Sequence, residues 1–207
     1  MPKFLIKDFN SYVISILFNI IAVTFLWVRN QRSDRWISLF FINVIFVQSL
    51  QLYEKYQTDL TTKNTCAIFL FLLLFIHPLI NLVGGYIIKA EFAYIEQVGL
   101  YLMFLIYIFI SKVGLGTLDF NNSINVDTNN TITWHFLNGI NYYEWAFYIF
   151  SLLFSMYLYT SPQNITMMLG SYLLLFISFY NANYNFNATF PAFYNWLSFL
   201  IGAVIMY

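Results

Sequence analysis

Seven long, mostly apolar stretches follow one another along this chain, and they limit its fold more than any other feature. They cover residues 10–28, 36–54, 66–88, 93–112, 143–160, 163–181 and 191–207. The hydrocarbon core of a bilayer is about 30 Å thick, and about 20 apolar helical residues cross it. Since lipid offers no partner to backbone polar groups, each stretch is predicted to be a transmembrane α-helix. The expected fold class is all-α, with residues 1–207 forming one domain, a bundle of seven transmembrane helices.

Charged side chains are too few to cover a water-soluble surface. Nine of the 207 residues are Lys or Arg and nine are Asp or Glu, so charged residues make up 9% of the chain and hydrophobic ones 60%. A soluble domain carries roughly a quarter of its residues as charges. The chain is therefore expected to be an integral, multi-pass membrane protein whose main partner is the lipid bilayer. Its zero net charge and scattered basic residues argue against a nucleic-acid partner.

The basic residues set the expected orientation. All three arginines, Arg29, Arg32 and Arg35, lie in the loop between the first two spans. Because short cytoplasmic loops are enriched in Lys and Arg, this loop is placed inside, with the N-terminus outside and the C-terminus inside. The one long loop, residues 113–142, is then exterior, and it is expected to be partly ordered through Trp134-His135-Phe136 and Tyr142-Tyr143.

Three N-glycosylation acceptor triplets fall in the predicted exterior loops. They begin at Asn121, Asn129 and Asn187. Such triplets carry glycan only in a protein of a eukaryote or of its virus. A further triplet at Asn164 falls on the predicted inside, which shows that an Asn-rich chain produces these patterns by chance. The triplets are therefore compatible with an exterior glycosylated face without requiring one.

Polar side chains inside the spans are the candidate functional residues, because ionisable groups at membrane depth usually face the bundle interior or a wet cavity. In the second span, Gln48, Gln51 and Glu54 recur every third residue and form a stripe on one helix face. In the third span, His77 lies near the middle and Asn81 follows one turn later. A histidine there can change its charge near neutral pH, which suits a proton relay.

Two glutamates near span ends complete a hypothetical path. Glu144 starts the fifth span and would form an outer mouth with Glu54, whereas Glu96 lies near the inner end of the fourth span and would form the inner mouth. The alternative interpretation is structural. The glutamates would then be interfacial, the glutamines would join neighbouring helices, and His77 would be a neutral hydrogen-bonding residue beside the Pro78 kink.

Several known classes of membrane protein do not fit. Retinal proteins need a lysine in the last span, and residues 191–207 contain none. Zinc hydrolases of the membrane ceramidase type need three histidines, whereas this chain has only His77 and His135. Cys66 is the only cysteine, which excludes a Cys-based metal cluster and an intramolecular disulfide. No metal and no other cofactor is therefore expected.

One segment carries a likeness to known proteins. It contains Gln51-Leu52-Tyr53-Glu54 near the end of the second span and the Pro78 kink in the third. In these features residues 36–90 resemble uncharacterised seven-helix membrane proteins of giant DNA viruses. The resemblance implies a viral membrane protein with seven helices, and it implies no activity.

The leading functional hypothesis is permeation by a proton or small-cation channel, or by a small-solute carrier, through the central polar residues. The alternative is a non-enzymatic receptor or scaffold that binds a partner through its exterior loop. A third hypothesis is an intramembrane enzyme that modifies lipid, although no Gly-x-Ser-x-Gly nucleophile elbow is present. The sequence thus favours a protein that is not an enzyme, and it leaves a homo-oligomer open.

Overall fold

The computed structural model describes most of the chain. The described residues are 9–30, 34–89, 93–116, 118, 120, 124–126, 132–157, 162–181, 190–191 and 193–194. Within them the α-helices are α1 (Phe9–Arg29), α2 (Asp34–Lys55), α3 (Leu60–Lys89), α4 (Ala93–Ile108), α5 (Tyr142–Tyr157) and α6 (Pro162–Asn181). Three residues of the seventh predicted span, Pro191, Phe193 and Tyr194, are also helical, as is Phe190 just before it. The predicted all-α class is confirmed, and each of the first six predicted spans coincides with a helix.

Four helical segments are long and apolar enough to cross a membrane. Within the described ranges they are Tyr12–Arg29, Ile37–Lys55, Leu60–Ile80 and Ile95–Gly114. The last of these extends from α4 into a π-helical turn over Phe109–Gly114. The coarser part of the sequence prediction, an all-α chain with several helices of membrane-spanning length, is therefore confirmed.

The start of α3 differs from the sequence prediction, which began the third span at residue 66. The Asp59 carboxylate accepts hydrogen bonds from the backbone N–H and the hydroxyl of Thr62, both at 2.8 Å. This N-cap satisfies a backbone donor that the first helical turn leaves free, so the helix begins at Leu60. The predicted boundary was wrong because it followed the apolar run and overlooked the capping signal.

The turn between α1 and α2 is held by its charged residues. The Arg29 Nε and Nη2 atoms bond to the two carboxylate oxygens of Asp34, at 3.0 and 2.7 Å. Asn30 adopts a left-handed conformation with φ of 54°, which ends α1. The Arg35 guanidinium lies 3.7 Å from the centroid of the Trp27 ring. These contacts fix α1 beside α2 at the end of the bundle that is expected to be cytoplasmic.

The long loop between α4 and α5 contains a small hairpin. Strand β1 (Ile124–Val126) pairs antiparallel with β2 (Ile132–Trp134), and a 3₁₀ turn (His135–Gly139) follows. Trp134 and Phe136 are buried, and the Phe136 ring lies 6.2 Å from the Phe71 ring of α3. This part of the loop therefore packs onto the bundle, and the ordering expected around Trp134-His135-Phe136 is present.

The bundle has apolar outer faces and polar groups inside. Ile21, Met103 and Phe176, from three different helices, expose 66%, 69% and 66% of their surfaces. The buried polar or charged residues of the described chain are Ser15, Asn19, Asp34, Ser38, Asn43, Gln48, Gln51, Glu54, His77, Glu144, Ser151 and Ser178. A water-soluble surface rarely exposes large apolar faces of this kind. This distribution is the one expected of helices in lipid, whose polar side chains turn toward one another.

Candidate functional site

The polar stripe of α2 faces the bundle interior. Asn43, Gln48, Gln51 and Glu54 are all buried, with 4% or less of each residue exposed. Their spacing places them on one side of the helix, and the helical rise separates Gln48 from Glu54 by about 9 Å along the axis. We refer to these four residues as the polar column.

Gln48 is fully engaged by neighbouring segments. Its Nε2 atom donates to the Ser15 hydroxyl at 2.7 Å and to the backbone carbonyl of Tyr194 at 3.1 Å. Its Oε1 atom accepts from the Asn19 amide at 2.9 Å. Gln48 therefore joins α1, α2 and the last predicted span, which is the interhelical role of the structural interpretation.

Gln51 and Glu54, the C-terminal part of the polar column, have fewer hydrogen bonds than Gln48. Neither amide atom of Gln51, nor the Oε2 atom of Glu54, has a hydrogen-bond partner among the residues that the structure describes. Lys63 and Cys66, near the start of α3, lie close enough to Glu54 to interact with it electrostatically. A buried amide without a partner costs about 1–3 kcal/mol. A water molecule between these side chains could pair with both amide atoms, whereas a small cation could be bound only by the Gln51 Oε1 and Glu54 oxygens.

Pro78 lies inside α3, where a proline is expected to kink a helix, and another helix supplies a donor at this point. Pro78 has no N–H, so the carbonyl of Leu74, four residues earlier, lacks its helical hydrogen bond. The hydroxyl of Tyr148 in α5 donates to this carbonyl at 3.0 Å. A buried carbonyl that would otherwise be unsatisfied is thus paired.

The two flanking carbonyls of α3 are bonded in the same way. The Asn43 amide of α2 donates to the carbonyl of Leu73 at 3.3 Å, and the Tyr101 hydroxyl of α4 donates to that of Phe75 at 2.8 Å. Side chains from α2, α4 and α5 therefore converge on one turn of α3. This convergence explains Asn43 as a packing residue, so the part of the polar column without partners in the described structure is its C-terminal end, at Gln51 and Glu54.

His77 lies next to the kink and is completely buried. Its Nδ1 atom is 2.9 Å from the Tyr194 hydroxyl oxygen, and the Phe40 ring lies 4.1 Å from its own ring, centroid to centroid. Its Nε2 atom has no partner within the described part of the chain. One ring nitrogen is therefore committed to a hydrogen bond, and the other faces the interior with unused capacity.

Glu144, which was expected at an outer mouth, bonds to residues of α4 and of the turn before α5. Its Oε2 atom accepts from the Asn141 N–H at 2.8 Å while its own N–H donates to Asn141 at 3.0 Å, a capping box that starts α5. Its Oε1 atom accepts from the Tyr107 hydroxyl at 3.0 Å, and Lys112 Nζ lies 3.2 Å from Oε2. Glu144 therefore joins α4 to α5, and its expected place in an outer mouth with Glu54 stays a prediction.

The remaining candidates are Glu96, Asn81 and the three glycosylation sites. Glu96 is exposed in the first turn of α4, where a carboxylate interacts favourably with the positive end of the helix dipole, and its expected place at an inner mouth stays a prediction. Asn81 lies within α3, but its side chain is outside the described part of the structure. The three glycosylation candidates, Asn121, Asn129 and Asn187, also lie outside the described residues.

Three tyrosines contribute to the site although sequence reasoning did not select them. Tyr101, Tyr148 and Tyr194 each contact the turn of α3 that carries the kink. A chain with 17 tyrosines gives no reason to single these out. The available signal was Pro78, because a proline inside an apolar span requires hydroxyl or amide donors from its neighbours.

No protein-family model matches this chain, and no curated protein or solved structure shows detectable similarity to it. The resemblance to seven-helix proteins of giant DNA viruses stays a prediction. Function is therefore inferred from the buried polar side chains themselves.

Proposed function

We propose that this chain is a membrane protein that conducts protons or another small cation through its interior. The proposal depends on the buried polar atoms of Gln51, Glu54 and His77 that lack partners in the described structure, inside a bundle with apolar outer faces. Replacing such groups with apolar side chains of similar shape is often neutral or stabilising. Their presence is accounted for by an occupant that enters and leaves, namely a proton, a water molecule or a cation.

The proposed topology has seven spans, an exterior N-terminus and an interior C-terminus. It is supported by the four segments of membrane-spanning length and by α5 and α6, which coincide with the fifth and sixth predicted spans. Arg29 and Arg35 at the turn between α1 and α2 support the interior placement of that turn. Glu54 then lies toward the outer face.

The proposed path begins at Glu54, which collects the cation or proton, and passes Gln51, whose amide orients water. Tyr194 links the polar column to His77, since its backbone carbonyl accepts from Gln48 and its hydroxyl contacts the His77 ring. His77 exchanges the proton. Asn81, one turn further along α3, is proposed to continue the path toward the inside.

The receptor or scaffold hypothesis accounts for part of the site. Gln48 and Glu144 have complete sets of partners and need only a structural role. The hypothesis does not account for the unsatisfied groups of Gln51 and His77. It also relies on an exterior loop that presents a binding surface, whereas Trp134 is buried against the bundle. Permeation is therefore the better-supported function.

The test is flux through the purified protein in sealed liposomes. A pH-sensitive dye inside the liposomes reports proton entry driven by a potassium diffusion potential, and parallel samples report sodium and potassium uptake. The intact protein is expected to conduct at least one of these ions. His77→Ala and Glu54→Gln are expected to lower the rate about tenfold or more, as loss of a proton-transferring group usually does.

Ser49→Ala is the matched control, because Ser49 is exposed on another face of α2 and its replacement should leave the rate unchanged. Monodispersity and thermal unfolding in detergent report whether each variant is folded. Absence of proton, sodium and potassium flux in the intact protein would refute the proposed function. Equal rates in the folded His77→Ala variant and the intact protein would refute the role of His77.

A further inference from the structure

The turn between α1 and α2 carries a guanidinium group that the protein contacts on two sides. The central carbon of the Arg35 guanidinium lies 3.7 Å from the centroid of the Trp27 ring, so the indole covers one face of the group. The Arg35 Nε atom donates to the side-chain oxygen of Asn30 at 3.1 Å. Asn30 has a φ of 54°, the left-handed conformation that ends α1. The orientation of the Arg35 head group is therefore set by a stacked ring and a hydrogen bond.

The remaining edge of this guanidinium has unused donors. A guanidinium carries all its N–H donors in one plane, and stacking on a ring uses none of them. The bond to Asn30 takes the Nε–H, and no described residue accepts from the two Nη atoms of Arg35. Parallel N–H donors on such an edge match the spacing of two oxygens of a phosphate or a carboxylate. Arg35 therefore presents an edge suited to binding an anion.

No described carboxylate neutralises Arg35. Its neighbour in the sequence, Asp34, is completely buried, and both of its carboxylate oxygens bond to Arg29, at 3.0 and 2.7 Å. Among the described residues Arg35 forms no ion pair. Residues 29–35 contain three arginines and one aspartate, so this turn has an excess of positive charge. An anion that balances Arg35 would therefore come from outside the described chain.

The position of Arg35 in the chain selects the kind of anion. Arg35 lies between the first two segments of membrane-spanning length, which is the level expected for phospholipid headgroups. Leu39 follows Arg35 by four residues on α2, and Ile20 precedes Trp27 by seven on α1, so each shares a helix face with the residue it is paired with here. Leu39 and Ile20 are both exposed. A phosphate at Arg35 would therefore have apolar side chains below it, toward the membrane centre.

We propose that Arg35, stacked on Trp27 and bonded to Asn30, forms a binding site for the phosphate group of an anionic phospholipid. The free edge of the guanidinium donates to two phosphate oxygens, and the acyl chains lie along Leu39 and Ile20. In the topology proposed above the site faces the inner leaflet, whose anionic lipids give that membrane surface a negative potential. Binding at this outer face of the bundle requires no ion conduction through the interior.

An arginine at a membrane surface also meets headgroups without binding any one of them. Attraction of that kind depends on charge alone, so lysine serves as well as arginine. The site proposed here depends in addition on the planar fork of the guanidinium and on the Trp27 ring that orients it. Variants that keep the charge therefore separate a built site from general attraction.

Native mass spectrometry of the purified protein, titrated with phosphatidylglycerol in detergent, measures the binding. One phosphatidylglycerol per chain is expected to bind more tightly than phosphatidylcholine, whose headgroup carries its own cation. Arg35→Gln is expected to lower the affinity about tenfold, because a charge-assisted pair with the phosphate is lost. Lys55→Gln is the matched control, since it removes one positive charge from the other end of α2 and should leave the affinity unchanged. Equal losses in the two variants would overturn the inference.

Two variants that keep the charge sharpen the test. Arg35→Lys replaces the planar fork with an ammonium group, and Trp27→Leu removes the ring that covers the guanidinium. Each is expected to lower the affinity for phosphatidylglycerol about threefold or more. An affinity equal to that of the intact protein in either variant would show attraction by charge alone and would overturn the inference.

Solid-state NMR in phosphatidylglycerol liposomes, in phosphate-free buffer, measures the contact itself. In protein labelled with guanidinium-¹⁵N arginine, Arg32→Lys leaves Arg29 and Arg35 as the only labelled residues. The ³¹P of the lipid is expected to dephase the Nη signal of Arg35 strongly, and that of Arg29, which is paired with Asp34, only weakly. Equal dephasing of the two arginines would show general headgroup contact and would overturn the inference.

Inorganic phosphate distinguishes a lipid from a free anion as the occupant. Added to the titration at millimolar concentration, it is expected to leave the bound phosphatidylglycerol in place, because the lipid also contacts the apolar side chains below Arg35. Displacement of the lipid by inorganic phosphate would assign the site to a soluble anion and would overturn the proposal of a lipid site.

Discussion

Gln48 and Gln51 illustrate what a single residue's identity does and does not reveal. Both were selected from the sequence as parts of one stripe, and both are buried. Gln48 has three partners, because Ser15, Asn19 and the Tyr194 carbonyl lie opposite it, whereas Gln51 has none in the described structure. Their difference comes from contacts distant in sequence, which a helix pattern does not contain.

Replacing each glutamine with leucine should give opposite results. Gln48→Leu is expected to destabilise the protein by about 2 kcal/mol, because it leaves buried groups on α1 and the last span unpaired. Gln51→Leu is expected to be neutral or to stabilise by up to about 1 kcal/mol, while lowering ion flux. Unfolding in bicelles by a denaturing detergent measures the free energy of unfolding of each variant. Equal destabilisation by the two variants would contradict this assignment.

Asp59 is a residue whose role depends on pH. Its hydrogen bonds from the Thr62 hydroxyl and backbone N–H lower the pKa of the Asp59 carboxyl below its usual value of 3.8. When folding lowers the pKa of a group, its ionised form stabilises the folded state. This stabilisation is fully present at pH values above the pKa of the group in the unfolded chain, and it is lost as the pH falls through the pKa in the folded protein. The start of α3 should therefore loosen only in acid.

Amide hydrogen exchange at Thr62 measures this effect. As the pH is lowered below 3.8, the ordinary pKa of an Asp carboxyl, the protection factor of this amide should fall in the intact protein. Asp59→Asn keeps an oxygen acceptor but removes the titrating group, so its protection should not change as the pH is lowered. Parallel changes in the two proteins would show that the carboxyl is not responsible.

At the scale of elements, Pro78 in α3 shows which part of a structural feature a local sequence signal predicts and which part it does not. The proline at position 78 predicts a missing hydrogen bond from sequence alone. The sequence does not show that Tyr148 of α5 supplies the donor, because this requires the arrangement of α3 and α5. The cap at Asp59 is the opposite case, a local signal that was present and overlooked.

A double-mutant cycle tests the pairing between Pro78 and Tyr148. Tyr148→Phe is expected to cost about 1 kcal/mol in the intact background, because it leaves the Leu74 carbonyl without a donor. In a Pro78→Ala background the restored backbone N–H can bond to Leu74, so most of that cost should disappear. The free energies of unfolding of the four proteins give the coupling. A cost that is the same in both backgrounds would show that Tyr148 does not compensate for the proline.

At the scale of the whole molecule, the succession of spans was the most predictable property. Helix length and apolarity are local, so each of the first six predicted spans coincides with a helix. The path stays a prediction, because the sequence could not show that Glu144 caps α5 or that Glu96 is exposed. The apolar outer faces and buried polar groups arise from the assembled bundle, and they support the proposal that the polar column is an interior surface in contact with water.

This contact can be measured by NMR in protein reconstituted in liposomes. The experiment follows the transfer of magnetisation from water to glutamine side-chain amides. Gln57, in the turn after α2, supplies the value for a side chain in contact with water, and Gln48, which is fully bonded within the protein, supplies the value for a dry one. If the polar column carries water, transfer to the Gln51 amide will be about as fast as transfer to Gln57. Transfer as slow as that to Gln48 would show a dry column and contradict conduction through it.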